Sequence, residues 1–138
     1  MARFKGVWPA LVTPLTADDR INVSATRRLL DALLEAGVHG FYVCGGTGEG
    51  VLLPMQERRI MAETVVEHVG GRAPVIVHVG AVATADAVEL ARHAARIGAE
   101  AIAAVPPFYY RVDFQAIREH YRIIAGASDL PLYLYYIP

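Results

Sequence analysis

The sequence predicts an α/β protein built on a parallel sheet, and three features carry that prediction. Short apolar runs without polar alternation recur roughly every thirty residues, which is how strands read when both faces of a sheet are covered. Between them lie longer stretches with apolar residues at helical spacing. The turns at the ends of the runs are rich in glycine and proline, most of all in Cys44-Gly45-Gly46-Thr47-Gly48-Glu49-Gly50.

Taken in order, Val7 to Thr13 reads as a first strand closed by Pro14. Asn22 offers an N-cap for a helix with Leu29, Leu30, Leu33 and Leu34 on one face, ended by Gly37. A second strand, Val38 to Val43, runs into the glycine-rich loop. Pro54 opens a second helix with a stripe of Ile60, Met61, Thr64, Val65 and Val69, and Gly70-Gly71 stops it. The third strand, Val75 to Val79, is apolar apart from His78. Thr84 is the expected cap of a third helix, Ala85 to Ile97, which buries Ala87, Leu90, Ala91 and Ala94 and ends at Gly98. A fourth strand, Ala101 to Val105, leads to Pro106-Pro107-Phe108-Tyr109-Tyr110. Asp113 caps a fourth helix reaching about Ala125, and Pro131 introduces a fifth strand, Leu132 to Tyr136. This βαβαβαβαβ order fits a flavodoxin-like doubly wound sheet or part of a (β/α)8 barrel, and periodicity does not choose between them. In both, the C-terminal strand ends converge on one rim.

Composition narrows the function classes. With 138 residues, 54% of them apolar, the chain is one domain able to bury a core. A net charge of −1 argues against nucleic acid or membrane partners drawn by bulk electrostatics, and no apolar run is long enough to span a bilayer. The single cysteine, Cys44, rules out an internal disulfide and fits a reducing cytoplasm. It reads as a small core residue, not a nucleophile. The five histidines form no ligand pattern, so no metal is expected, and His78 reads as a satisfied core histidine. The pairs Arg27-Arg28 and Arg58-Arg59 read as solvated helix faces.

The glycine-rich loop is where function is expected to concentrate. Four glycines in the six residues Gly45 to Gly50 suit a backbone that turns tightly and offers N–H groups to an anion, with Thr47 adding a hydroxyl. It has neither the lysine of a Walker loop nor the position of a dinucleotide loop. A small carboxylate suits it better. Glu49 is expected to hold the loop by accepting backbone hydrogen bonds.

The loop resembles the Gly-(Thr/Ser/Gly)-Thr-Gly-Glu signature of the dihydrodipicolinate synthase / N-acetylneuraminate lyase family of class I pyruvate aldolases. Leu134-Tyr135-Tyr136-Ile137-Pro138 resembles that family's Leu-Tyr-Asn-(Ile/Val)-Pro. Phe4-Lys5-Gly6-Val7 with Ala10-Leu11-Val12-Thr13-Pro14 resembles its opening strand, and Pro106 to Tyr110 the end of its fourth. The resemblance implies a (β/α)8 TIM barrel of which residues 1–138 supply about the first four and a half βα units, a single domain truncated after the fifth strand. It implies a Schiff-base lyase that condenses or cleaves pyruvate with an aldehyde, most nearly a dihydrodipicolinate synthase of lysine biosynthesis. No cofactor is implied beyond the imine that pyruvate forms with a lysine outside this chain. Lys5, the only lysine, lies at the wrong end of the barrel.

Carried over by residue, Gly46 and Thr47 bind the pyruvate carboxylate and Tyr135 shuttles protons. Tyr109 crosses into a neighbouring subunit's site, in a homo-oligomer that is a dimer or tetramer. Two departures stand out. Gly46 replaces a hydroxyl residue of the synthases and neuraminate lyases, as in the sugar-acid dehydratase branch, and Tyr136 stands where asparagine is usual. Two other readings follow: a keto-deoxy sugar-acid aldolase or dehydratase, or N-acetylneuraminate lyase-like enzyme; and a non-catalytic half-barrel that folds by assembly, because its edge strands lack partners.

Overall fold

A computed structural model describes residues 4–136. Among them, helices and strands alternate as α1 Val23–Glu35, β1 Phe41–Val43, α2 Met55–Val69, β2 Val75–His78, α3 Thr84–Arg96, β3 Ala101–Ala104, α4 Phe114–Ala125 and β4 Leu132–Leu134. All strand pairs are parallel and the spatial order is β1-β2-β3-β4, the order in the chain. A doubly wound sheet reverses direction at a switch point, so its strand order departs from the sequence order. The sequential order is that of a barrel wall.

Side-chain direction and curvature agree with that. Phe41, Val43, Val75, Val77, Ile102 and Ala104 point to the helices and join Leu30, Met61, Val65, Leu90 and Ile124 in the main core. Tyr42, Ile76, Ala101 and Ala103 point to the opposite face, beside Phe4 and Trp8. Three strand spacings separate β1 from β4, roughly 14 Å in a flat sheet. Yet the ring of Tyr42 on β1 lies 6.3 Å from that of Tyr135, the residue after β4. The sheet therefore curls toward this inner face.

The predicted first strand is an irregular extended segment. It bonds to β1 and the residues before it through His39 N–H to Val7 O, Tyr42 N–H to Pro9 O and Leu11 N–H to Tyr42 O, at 2.8, 3.3 and 3.0 Å, with a single bridge at Ala10. Pro9 and Pro14 lack the N–H that a regular ladder needs. The remaining strands fall within the expected ranges but are shorter. Asn22 and Asp113 cap α1 and α4 by accepting from Ala25 and Ala116 N–H, as expected. Thr84 does not cap α3: Ala83 takes that position, and the Thr84 hydroxyl turns to His120 Nδ1 at 2.8 Å. Ile137 and Pro138 lie outside the described residues.

Each neighbouring helix pair is joined through one histidine. His68 Nε2 meets Asp31 Oδ1 at 2.8 Å between α2 and α1, and His93 Nε2 meets Glu63 Oε1 at 2.7 Å between α3 and α2. His120 with Thr84 does the same for α4 and α3. Glu57, buried on α2, accepts from Ile21 N–H at 2.9 Å and pairs with Arg20 at 2.8 Å, fastening the segment ahead of α1.

Two sequence expectations about buried groups are corrected. Arg58 is not on a solvated face; it is 4% exposed, and its Nη1 and Nη2 donate to the carbonyls of Gly80 and His78 at 3.0 and 2.9 Å. An arginine can reach inward along an apolar stem wherever carbonyls await it, so the charge pair alone was a poor guide. His78 is buried as expected but not satisfied: neither ring nitrogen has a hydrogen-bond partner among the described residues. Burial, followed by the charge of Arg58, lowers its pKa from the ordinary 6.5 to about 4, against a smaller opposing effect of the Cys44 carbonyl.

The turn leaving β1 has its own geometry. Cys44 and Glu49 take the left-handed conformation, at φ 59° and 55°, and none of the loop glycines does. Gly48 and Gly50 answer to close packing instead. A Cβ on Gly50 would stand 1.8 Å from the Cys44 carbonyl oxygen, and one on Gly48 would stand 2.7 Å from that of Leu11.

Gly50→Ala is therefore expected to destabilise the protein by about 3 kcal/mol, at the upper end for overpacking, and to lower Tm by roughly 10 °C in a thermal melt. His78 predicts an acid sensitivity. Above pH 6.5 the imidazole is neutral whether the chain is folded or not; as pH falls toward 4 the unfolded chain takes a proton that the folded one refuses. Stability should fall across that window by on the order of 3 kcal/mol from this group. Denaturant titrations at pH 7 and pH 4 should show His78→Phe losing correspondingly less than the unsubstituted protein.

Candidate active site

The C-terminal ends of the strands form a hollow of about 460 Å³ lined by Gly46, Val51, His78, Val105, Pro106, Pro107, Phe108 and Tyr135. Gly46 comes from the loop after β1, His78 from the end of β2, Val105 to Phe108 from beyond β3, and Tyr135 from beyond β4. Strand geometry assembles them. Val79 N–H donates to Ala103 O at 2.7 Å and Tyr135 N–H to Ala104 O at 2.9 Å, so the ladder continues one residue past β2 and β4 and brings Tyr135 to the rim.

The expected site residues divide into two groups. Gly46 and Tyr135 share the hollow although 89 positions separate them in sequence. Thr47 is exposed on the adjoining turn and does not line the hollow. Among the described residues, the N–H groups of Gly46 and Thr47 donate to no backbone carbonyl, which leaves two adjacent donors at the mouth. Tyr109 is 76% exposed, lies edge-on to Tyr110 at 4.9 Å, and stands outside the hollow. A Cβ on Gly46 would meet nothing within 4 Å, so glycine there is a choice of chemistry, not of space.

Glu49 does not hold the loop as expected: its side chain is exposed and accepts no hydrogen bond among the described residues. The loop is held by the Thr13 hydroxyl donating to Gly48 O at 2.6 Å, Glu49 N–H to Gly46 O at 3.0 Å, and Gly50 N–H to Gly45 O at 3.1 Å. Thr13 was therefore a rim residue in a sense the sequence did not specify, a clamp on the loop.

Electrostatics keep the interior of the site neutral. Burial pushes the Cys44 thiol up to about 11, opposed by Arg58, so Cys44 is a core residue and not a thiolate nucleophile. Burial also raises Tyr42, and a charge on Tyr135 would raise it further, which couples the two phenols. Among the described residues the Tyr42 hydroxyl has no hydrogen-bond partner. His78 lines the hollow, and the ring of Tyr42 stands 6.3 Å from it; the sequence reading assigned neither to the site. A histidine in an otherwise apolar strand, two residues before a glycine, was the available signal.

Among the described residues no cluster of three His, Cys, Asp or Glu side chains could hold a metal ion, and no helix is long and apolar enough to cross a membrane.

Comparison with known proteins agrees with this geometry. The chain is 44% identical over 133 residues to an uncharacterised DapA-like lyase of Halobacterium salinarum, covering 96% of this chain and 44% of the relative. It is 40% identical over 136 residues to an N-acetylneuraminate lyase of Rhizobium meliloti, covering 99% and 46%. It superposes with a TM-score of 0.95, at 32% identity, on YagE of Escherichia coli K12. YagE is a prophage protein of the dihydrodipicolinic acid synthase family, solved with pyruvate; the match covers 98% of this chain and 45% of that one. The chain thus spans about half the length of the curated relatives it matches. The sheet is accordingly part of a TIM-barrel wall. The profile of the Dihydrodipicolinate synthetase family matches residues 3–138, and the chain belongs to that family of lyases.

Proposed function

We propose that this chain supplies one side of the active site of a class I pyruvate lyase, which condenses pyruvate with an aldehyde or cleaves the corresponding product. One observation carries the reading: Gly46, on the anion-ready loop, and Tyr135, the candidate proton shuttle, line the same hollow at the strand ends. In this reading the N–H groups of Gly46 and Thr47, with the Thr47 hydroxyl, take the pyruvate carboxylate. The imine forms on a lysine outside this chain and acts as the electron sink for carbon–carbon bond making or breaking. Tyr135 carries protons to and from the reacting oxygen, a role worth roughly 10²–10⁴ in rate. Tyr109, exposed and clear of the hollow, is free to reach a neighbouring copy's site in a homo-oligomer.

For the second substrate, a dihydrodipicolinate synthase-like reaction is one reading. A hydroxylated sugar acid is the other, and Gly46 favours it. The resemblance puts a hydroxyl residue at this position in the synthases, and the space for one stands open without it.

Incubating the full-length protein with pyruvate and borohydride should add one reduced pyruvate per subunit by intact mass; no adduct would overturn the reading. Tyr135→Phe should lower kcat by roughly 10²–10⁴ with Tm within a few degrees of the unsubstituted protein. Thr47→Val should raise KM for pyruvate about tenfold, the worth of a hydrogen bond to a charged group.

A further inference from the structure

The imidazole of His78 has no task in the mechanism above, yet its setting is specific. It is 3% exposed, lines the hollow with Gly46 and Tyr135, and leaves both ring nitrogens without a hydrogen-bond partner among the described residues. Gly80, two residues on and on the same face of the strand, makes room for the ring: a Cβ there would stand 2.8 Å from His78 Cε1 and Nε2. Ala103, the Cα partner of His78 in the sheet, is likewise small. A buried polar group left unpaired costs about 1–3 kcal/mol, so a ring seated this deliberately calls for a partner from the hollow.

The chemistry of that partner follows from the ring's neighbours. A neutral imidazole carries one N–H donor and one bare acceptor nitrogen, and neither is engaged by the protein among the described residues. An acceptor needs a donor, which excludes a carboxylate or carbonyl oxygen. The guanidinium of Arg58, whose charge is felt at the ring, disfavours an ammonium donor. A hydroxyl remains.

We propose that His78 is a specificity-determining residue of this site, its bare nitrogen accepting a hydrogen bond from a hydroxyl of the substrate that partners pyruvate. The inference rests on the lyase reading and makes that partner a hydroxylated carbonyl compound.

The test uses the full-length protein with pyruvate and either glyceraldehyde or propanal, which differ in their hydroxyls. His78→Phe should reduce the kcat/KM preference for glyceraldehyde about tenfold, the upper range for one net hydrogen bond. The borohydride-trapped pyruvate adduct should be unaffected. His78→Gln, which keeps an acceptor oxygen, should retain part of the preference. In the unsubstituted protein, glyceraldehyde added to the pyruvate-bound form should shift a ¹⁵N imidazole resonance of His78, and propanal should not; this readout stands even if a variant fails to fold. Normal adduct with an unchanged preference, equal loss on both aldehydes, or no selective ¹⁵N shift would overturn the role of His78 alone. No adduct in the unsubstituted protein would overturn the lyase reading, and the inference with it.

Discussion

The carbonyls of His78 and Gly80 leave the sheet where the strands stop, and the guanidinium of Arg58 satisfies both from within the core. The rest of the rim depends on that contact. Strand ends at a barrel mouth present carbonyls that no ladder can pair, and burying them unpaired is costly. An arginine on α2 reaches both at once, because its donors form a fixed fork. Burial disfavours its charge, and among the described residues no carboxylate forms an ion pair with it. Its two carbonyl contacts are the compensation. The same group ties the end of β2 to Gly80 and adds to the burial that lowers the basicity of His78. A positional constraint and an electrostatic one thus arise from a single side chain.

That coupling explains why the site is neutral without being apolar. The walls from Val51, Val105, Pro106, Pro107 and Phe108 are apolar, so the polar contacts a substrate makes there come from few groups. Tyr42 and His78 bring polar atoms into this setting while burial keeps Tyr42 protonated and His78 deprotonated across neutral pH. Cys44 is silenced by the same burial. Charge is left to the mouth of the hollow, where the N–H groups of Gly46 and Thr47 stand free of backbone partners. An anion held at the mouth and neutral hydrogen bonding below is a division of labour suited to a keto acid whose carboxylate stays fixed while its other end reacts.

Much of the architecture was legible because local signals agreed with one another. The Leu29-Leu30-Leu33-Leu34 stripe, the Asn22 and Asp113 caps and the glycine stops at Gly37, Gly70 and Gly98 all describe helices whose ends and faces are set within a few residues. What resisted reading was set by long-range contact. Val7 to Thr13 carries strand residues, but its prolines and its position beside β1 reduce it to one bridge. Thr84 has a cap's chemistry and is drawn off by His120, thirty-six residues away. Arg58 looked like its neighbour Arg59, which does form a surface pair with Glu89. Only the fold distinguishes the helix position facing β2 from the one beside it. For Gly48 and Gly50 the sequence reading lacked one reason, since their close packing against Leu11 and Cys44 depends on the chain's path and not on their own φ angles.

Gly46 and His78 are best understood together. Family resemblance drew notice to the hydroxyl missing at Gly46, and the absence reads as a loss while only the loop is considered. In the folded chain both residues face one hollow, and the open space around Gly46 shows that nothing steric removed the hydroxyl. A side chain at position 46 would fill space between the loop and the hollow that His78 and Tyr135 share. Leaving it empty widens that approach for a bulkier partner, and the polar capacity given up at the loop reappears on β2 as an imidazole that both donates and accepts. Selectivity would then reside at the end of β2, where Arg58 fixes the backbone of His78 and the small residues Gly80 and Ala103 leave room for its ring.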